Sequence, residues 1–138
     1  MDRLTPERRS WNMSRIRGSD TNPEKRVRSL LHRMGFRFSL RRRGLPGRPD
    51  IVLPKWRTAV FVHGCFWHQH AGCRNAVMPK SRPEFWSAKL RGNVTRDLIA
   101  VRALRQLGWR VLTVWECELD GVEKLERKIQ RALSGRIK

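Results

Sequence analysis

Apolar positions along the chain change spacing several times, and each change marks an element. Val27, Leu30, Leu31 and Met34 recur at helical spacing. Just ahead, Asn22-Pro23-Glu24 offers a cap, a first-turn proline and an acid near the positive helix end. Gly35 supplies the stop. Phe36-Arg37-Phe38-Ser39-Leu40 alternates apolar and polar, as a half-buried strand does. Asp50-Ile51-Val52-Leu53 is a short apolar strand opened by a carboxylate. After the turn Pro54-Lys55-Trp56-Arg57, Thr58 to Val62 forms a second, largely buried strand that ends at His63-Gly64. A long helix runs from Pro83 to a stop at Gly108. Its apolar stripe is Trp86, Leu90, Val94, Leu98, Val101, Leu104 and Leu107. Arg110 to Trp115 is another buried strand. Residues 121 to 134 make a final helix with Val122, Leu125, Ile129 and Leu133 inward. This order predicts one α/β domain, over residues 21 to 138, with a mixed central sheet flanked by helices. Residues 1 to 20 form a basic arm that carries Trp11, Met13 and Ile16 at poor helical spacing. Such an arm is a disordered tail or a segment that orders on a partner.

Charge narrows the partner. Lys and Arg number 31 against 12 Asp and Glu, a formal net charge of +19 in 138 residues. That exceeds what solubility needs and is the footprint of a polyanion binder, most plausibly of nucleic acid. There is no long apolar span, export signal or lipidation motif, which disfavours a membrane and predicts a cytoplasmic protein.

Chemistry concentrates in Val62 to Cys73. These twelve residues hold three of the four histidines and two of the three cysteines. Cys65, His70 and Cys73 read as Cys-x4-His-x2-Cys, a spacing that lets one loop wrap a tetrahedral ion. Cys117, after the apolar run ending at Trp115, supplies a fourth ligand and closes a Cys3His zinc site. The plainer alternative is three buried free thiols. The odd count and the absence of an export signal disfavour disulfides. His63 and His68 fall outside this set. An unperturbed imidazole titrates near neutrality, so either could move protons or bind a second ion. Asp50 is the best carboxylate for a hard cation such as Mg2+, although a Pro-Asp pair is also an ordinary turn. Lys89, Asn93 and Asp97 form a polar stripe on the long helix, a pattern shared by plain solvated faces.

Several linked segments resemble one family. They are Leu45-Pro46-Gly47-Arg48-Pro49-Asp50, His63-Gly64-Cys65-Phe66-Trp67-His68, Glu84-Phe85-Trp86, Asn93-Val94 with Arg96-Asp97, and Leu107 to Leu112 running on to Val114-Trp115-Glu116-Cys117. Met13 and Glu24 stand in matching context. Over residues 10 to 120 the chain resembles the very short patch repair endonucleases, a bacterial group related to restriction enzymes. The resemblance implies a restriction-endonuclease-like fold and a Mg2+-dependent nick beside the thymine of a T:G mismatch left by deamination of 5-methylcytosine. It implies that Asp50 and the Val62 backbone carbonyl ligate Mg2+. It makes His68 the general base, supported by Glu24, and His63 a helper at the phosphate, paired with Asp97. Cys65, His70, Cys73 and Cys117 would hold structural zinc. Phe66 and Trp67 would form a wedge, Met13 would enter from the other groove, and Lys89 and Asn93 would face the DNA near the mismatch. Duplex DNA would be the partner, other mismatch-repair proteins further partners, the chain a monomer and the nucleoid its place. The chain departs from the family in having Val62 where Thr is common and in its His70 to Cys73 gap. It departs from the wider nuclease pattern in lacking Glu-x-Lys after Asp50. A related endonuclease with another target, or a zinc-braced module without catalysis, are the competing readings. The last needs neither Asp50 nor His63 nor His68, and Phe66 and Trp67 could then simply pack in the core.

Overall fold

The structure, a computed structural model, describes residues 22–40 and 42–134. The basic arm over residues 1 to 20, with Met13, lies outside the described residues. Helix α1 (Asn22–Arg33) begins at Asn22, with Glu24 in the first turn and His32 and Arg33 in the last. It ends in a Schellman motif. Gly35 takes φ +91°, its N–H meets the His32 carbonyl at 3.0 Å, and the Phe36 N–H meets the Leu31 carbonyl at 2.9 Å.

The strands β1 (Ser39–Leu40), β2 (Ile51–Leu53), β3 (Thr58–His63) and β4 (Arg110–Trp115) form one sheet in the order β1-β2-β3-β4. The first two pairings are antiparallel and β3 pairs with β4 in parallel. The alternating stretch from Phe36 shortens to a two-residue strand. Its partner β2 offers only three residues, so the ladder is limited to Ser39 against Val52 and Leu40 against Ile51. Phe36 and Phe38 still turn inward, and Phe36 meets the Trp56 ring edge-on at 4.9 Å.

Helix α2 (Pro83–Gln106) makes the crossover between the parallel strands, and helix α3 (Val122–Leu133) closes the described chain. Period-two alternation splits the core into two layers. Ile51, Leu53, Val60, Leu112 and Val114 pack with Val27, Leu30 and Leu31 of α1 and Leu125, Ile129 and Leu133 of α3. Val52, Ala59 and Phe61 pack on the other face with Ala100 and Leu104 of α2 and with Trp109.

The stripe expected on α2 needs correction. Leu98 and Leu107 are exposed, as is Ile99. The inward line is Trp86, Leu90, Asn93, Asp97, Ala100 and Leu104. Steps of four residues overshoot a helical turn by about 40° each, so a run of them walks off the buried face. Alternating steps of four and three hold the face, and that line carries Asn93 and Asp97 inward.

Candidate active site and metal centre

One end of the sheet gathers the chemistry. The parallel register sets His63 beside Trp115, so β3 and β4 finish together. Because β2 runs antiparallel to β3, its entry at Asp50 lies at that same end. The loop after β3 and the middle of α2, at Asn93 and Asp97, cover it.

The loop turns tightly on its own backbone. N–H groups of His68, His70 and Cys73 meet the carbonyls of Gly64, Cys65 and His70 at 3.1, 3.0 and 3.2 Å. Gln69 takes a left-handed φ of 48°, and its amide donates to the Phe66 carbonyl at 2.6 Å. These turns bring Cys65, His70 and Cys73 together, and the finish of β4 adds Cys117. The four donor atoms lie within 4.8 Å of one another. His70 Nδ1 is 3.8 Å from the Cys65 sulfur and 3.5 Å from that of Cys117. The His70 ring lies flat on Trp115, centroids 4.1 Å apart. Burial and the adjoining thiols push Cys117 up to about 12. Burial also raises Cys65, whereas the Asn75 backbone N–H lowers Cys73. Thiols so crowded ionise together only if a cation offsets their charge, so this donor set suits a metal ion.

A second cluster stands beside it. His63 and His68 stack in parallel, with centroids 3.7 Å apart and planes 2° from parallel. His68 Nδ1 meets Asp97 Oδ2 at 2.6 Å, while His63 Nε2 is 4.0 Å from Asp97 Oδ1. Asp97, expected opposite His63, thus makes its short contact with His68. Burial lowers His63 to about 4, and the neighbouring His68 adds to this against the opposing pull of Asp97. His63 is therefore a neutral imidazole, away from the near-neutral titration that its residue type suggests. Its buried Nδ1 meets no hydrogen-bond partner among the described residues.

Asp50 accepts the Val62 N–H at 2.7 Å. Glu24, 3% exposed, bonds Arg28 at 3.1 Å and faces Asp50. Burial raises Asp50 to about 7, the Val62 N–H pulls it down, and the Glu24 carboxylate pushes it up again. Glu24, assigned to His68 by the resemblance, stands at Asp50.

Comparison with known proteins adds identity to this geometry. The family model described as DNA mismatch endonuclease Vsr matches residues 1–75. The Type II nicking enzyme V.XorIIP of Xanthomonas oryzae pv. oryzae (strain KACC10331 / KXO85) is 52% identical over 96% of both chains. The DNA mismatch endonuclease Vsr of Escherichia coli (strain K12) is 50% identical, over 85% of this chain and 74% of that one. The chain belongs to the Vsr family of DNA mismatch endonucleases.

Among solved structures, the Homing Endonuclease I-Bth0305I Catalytic Domain superposes with a TM-score of 0.58 at 25% identity, covering 82% of this chain and 94% of that domain. The Vsr chain thus has the restriction-endonuclease-like fold expected from the resemblance. No described helix is long and apolar enough to cross a membrane.

Beside the two clusters, this Vsr chain carries an aromatic face. Phe66 and Trp67 meet edge-on at 5.1 Å, and both reach Trp86, at 5.7 and 5.9 Å. Phe85, 46% exposed, abuts Trp86 at 5.3 Å. Lys89 is exposed on the next turn of α2. Asn93 donates to the Trp67 carbonyl at 3.0 Å and accepts from Arg96. The sequence pattern places Trp86 in the α2 stripe and marks no role for Trp115 or Arg96. Trp115 stacks on His70 and meets His63 edge-on at 5.2 Å, so one ring touches both clusters. No local pattern marks it, because the contact arises from parallel pairing across the α2 crossover.

Proposed function

We propose that this Vsr-family chain nicks one DNA strand beside the thymine of a T:G mismatch, by Mg2+-dependent phosphodiester hydrolysis. The observation that carries the reading is the Asp97–His68 contact at 2.6 Å, next to Asp50 at the same sheet end. A carboxylate on Nδ1 makes that nitrogen the protonated one and leaves Nε2 with its lone pair. His68 Nε2 then takes the proton of the attacking water. His63, neutral and stacked beneath His68, assists at the phosphate.

The oxygens around Asp50 fit a hard cation: two carboxylates stand close, and burial has raised one of them. Asp50 and the Val62 carbonyl would hold Mg2+, which when bound supplies positive charge at the phosphate. In this arrangement Glu24 keeps Arg28 and Asp50 in register rather than serving His68. The thiol-imidazole set fits zinc. Tetrahedral Zn–S and Zn–N bonds of the usual length give S···N edges of about 3.5 Å, close to the 3.5 and 3.8 Å seen. Zinc there would brace the loop that carries the aromatic face and His68.

Phe66, Trp67 and Trp86 would act as a wedge. A mismatch costs less to unstack than a matched pair, so large flat groups held rigid favour the weak step. Lys89 and Asn93 flank it, and Met13, outside the described residues, would enter from the other groove. The chain acts as a monomer within the bacterial nucleoid, and other mismatch-repair proteins are its further partners. Relatives named as nicking enzymes favour a nick over a double-strand cut, and also keep open a matched, site-specific target. The test uses T:G and T:A duplexes with each strand labelled, with Mg2+ or with EDTA. Selective Mg2+-dependent nicking of the thymine strand supports the proposal. Equal cleavage of the matched duplex replaces the mismatch by a site-specific target, and cleavage in EDTA removes the Mg2+ role.

A further inference from the structure

Asn93 and Asp97 stand one turn apart on α2 and hold neighbouring loop residues. Asn93 donates to the Trp67 carbonyl at 3.0 Å, and Asp97 holds His68 Nδ1 at 2.6 Å. The Asp97 bond has a built-in polarity, because only one partner is anionic. The Asn93 bond has none of its own: an amide presents a donor face or an acceptor face after a half-turn about its last bond. Arg96 removes that freedom. Its guanidinium bonds Asn93 Oδ1. Guanidinium is donor-only and a carbonyl is acceptor-only. Turning the amide over would set donors against donors at Arg96 and acceptors against acceptors at Trp67. The guanidinium reaches Asn93 by folding back along the helix over Gly92, where a Cβ would lie 3.5 Å from its terminal nitrogen.

We propose that Arg96 is a positioning residue that locks the Asn93 amide, and through it the Trp67 backbone, so that the aromatic face keeps the shape which discriminates the DNA substrate. This rests on the reading of Phe66 and Trp67 as a wedge. Locking also leaves one Nδ2–H and one Oδ1 lone pair of Asn93 in fixed places, available to a base edge. Adjacent turns of α2 thereby set the wedge through Asn93 and the general base His68 through Asp97. Arg96 itself is exposed and outside both core clusters, so its loss leaves the core intact.

The test compares Arg96→Met, which keeps length and loses every donor, with Arg96→Lys, Asn93→Ala and the double variant Asn93→Ala/Arg96→Met. Single-turnover nicking of T:G and T:A duplexes is measured, with bound metal, melting temperature and the salt dependence of DNA binding alongside. Arg96→Met should lower the T:G to T:A rate ratio by about tenfold, the scale of a charge-assisted hydrogen bond. Metal content, melting temperature and salt slope should hold. Arg96→Lys should recover most of the ratio, and the double variant should be no worse than Asn93→Ala. Losses that multiply in the double variant overturn the proposal. So does an equal loss on both duplexes with a salt slope lower by about one, which makes Arg96 a phosphate contact. If the parent chain shows no T:G preference, the proposed function fails by itself. The lock is then read from the Asn93 side-chain amide protons by NMR. Loss of their hydrogen-bonded shift in Arg96→Met, with retention in Arg96→Lys, supports it, and an unchanged shift in Arg96→Met overturns it.

Discussion

Asp50 sits in a buried setting that favours its neutral form, beside a second carboxylate. A folded-state value near 7, against an ordinary 3.8, means the folded chain keeps a proton that the unfolded chain has released between those values. Stability therefore falls as pH rises through that window, with the full cost present above it. In Mg2+-free buffer, Asp50→Asn should melt above the parent at pH 8, and the gap should close toward pH 4. Adding Mg2+ should raise the parent and leave the variant where it was. A gap constant with pH would refute the burial account. In the proposed mechanism His68 carries a different burden, moving a proton instead of holding charge. His68→Ala should slow single-turnover nicking by ~10²–10⁴-fold, the usual worth of a general base. Asp97→Asn should also slow it, since an amide no longer fixes the Nδ1–H tautomer. Both variants should keep bound metal and DNA affinity; a variant that slows only by losing metal would remove the residue from proton transfer. These chemical residue types were legible from the sequence. Their pairing was not: Asp97 meets His68 and Glu24 meets Asp50, and such partners depend on how α2 and α1 lie over the sheet.

Elements were legible where composition punctuated them. Gly35 and Gly108 both close Schellman motifs, and Pro83 opens α2 as its spacing suggested. The α2 face was misjudged because its apolar residues run in three steps of four and then three of three, drifting off the buried line, which alternates fours and threes through Asn93 and Asp97. The polar stripe of Asn93 and Asp97 was noted in the sequence, but its place on the inward line of that helix was not. The loop from Gly64 to Arg82 has no strand or helix to hold it, so its shape rests on turns and on the four metal-type donors. Cys117→Ser should release the bound zinc, with about one ion per chain in the parent. It should also lower the melting temperature, and added Zn2+ should restore the parent but not the variant. Full metal content in Cys117→Ser would exclude it as a ligand.

At the scale of the molecule, a formal charge of +19 acts over distances that no single contact spans. Duplex affinity should fall steeply from 50 to 200 mM salt, because each neutralised phosphate releases counterion. A nearly flat titration would contradict DNA as the anion. Charge announced the polymer, and the linked motifs announced the family. Neither announced the parallel seam between β3 and β4, which arises from residues far apart in sequence. That seam has a consequence for the newborn chain. Asp50, His63 and His68 leave the ribosome early, and Asp97 follows only with α2. Cys117, the last of the four metal-type donors, emerges behind β4. A partly synthesised chain therefore carries most of the reactive groups without the clasp that aligns them. Under the proposed function, chains shortened before Arg110 lack both β4 and Cys117 and should not nick DNA.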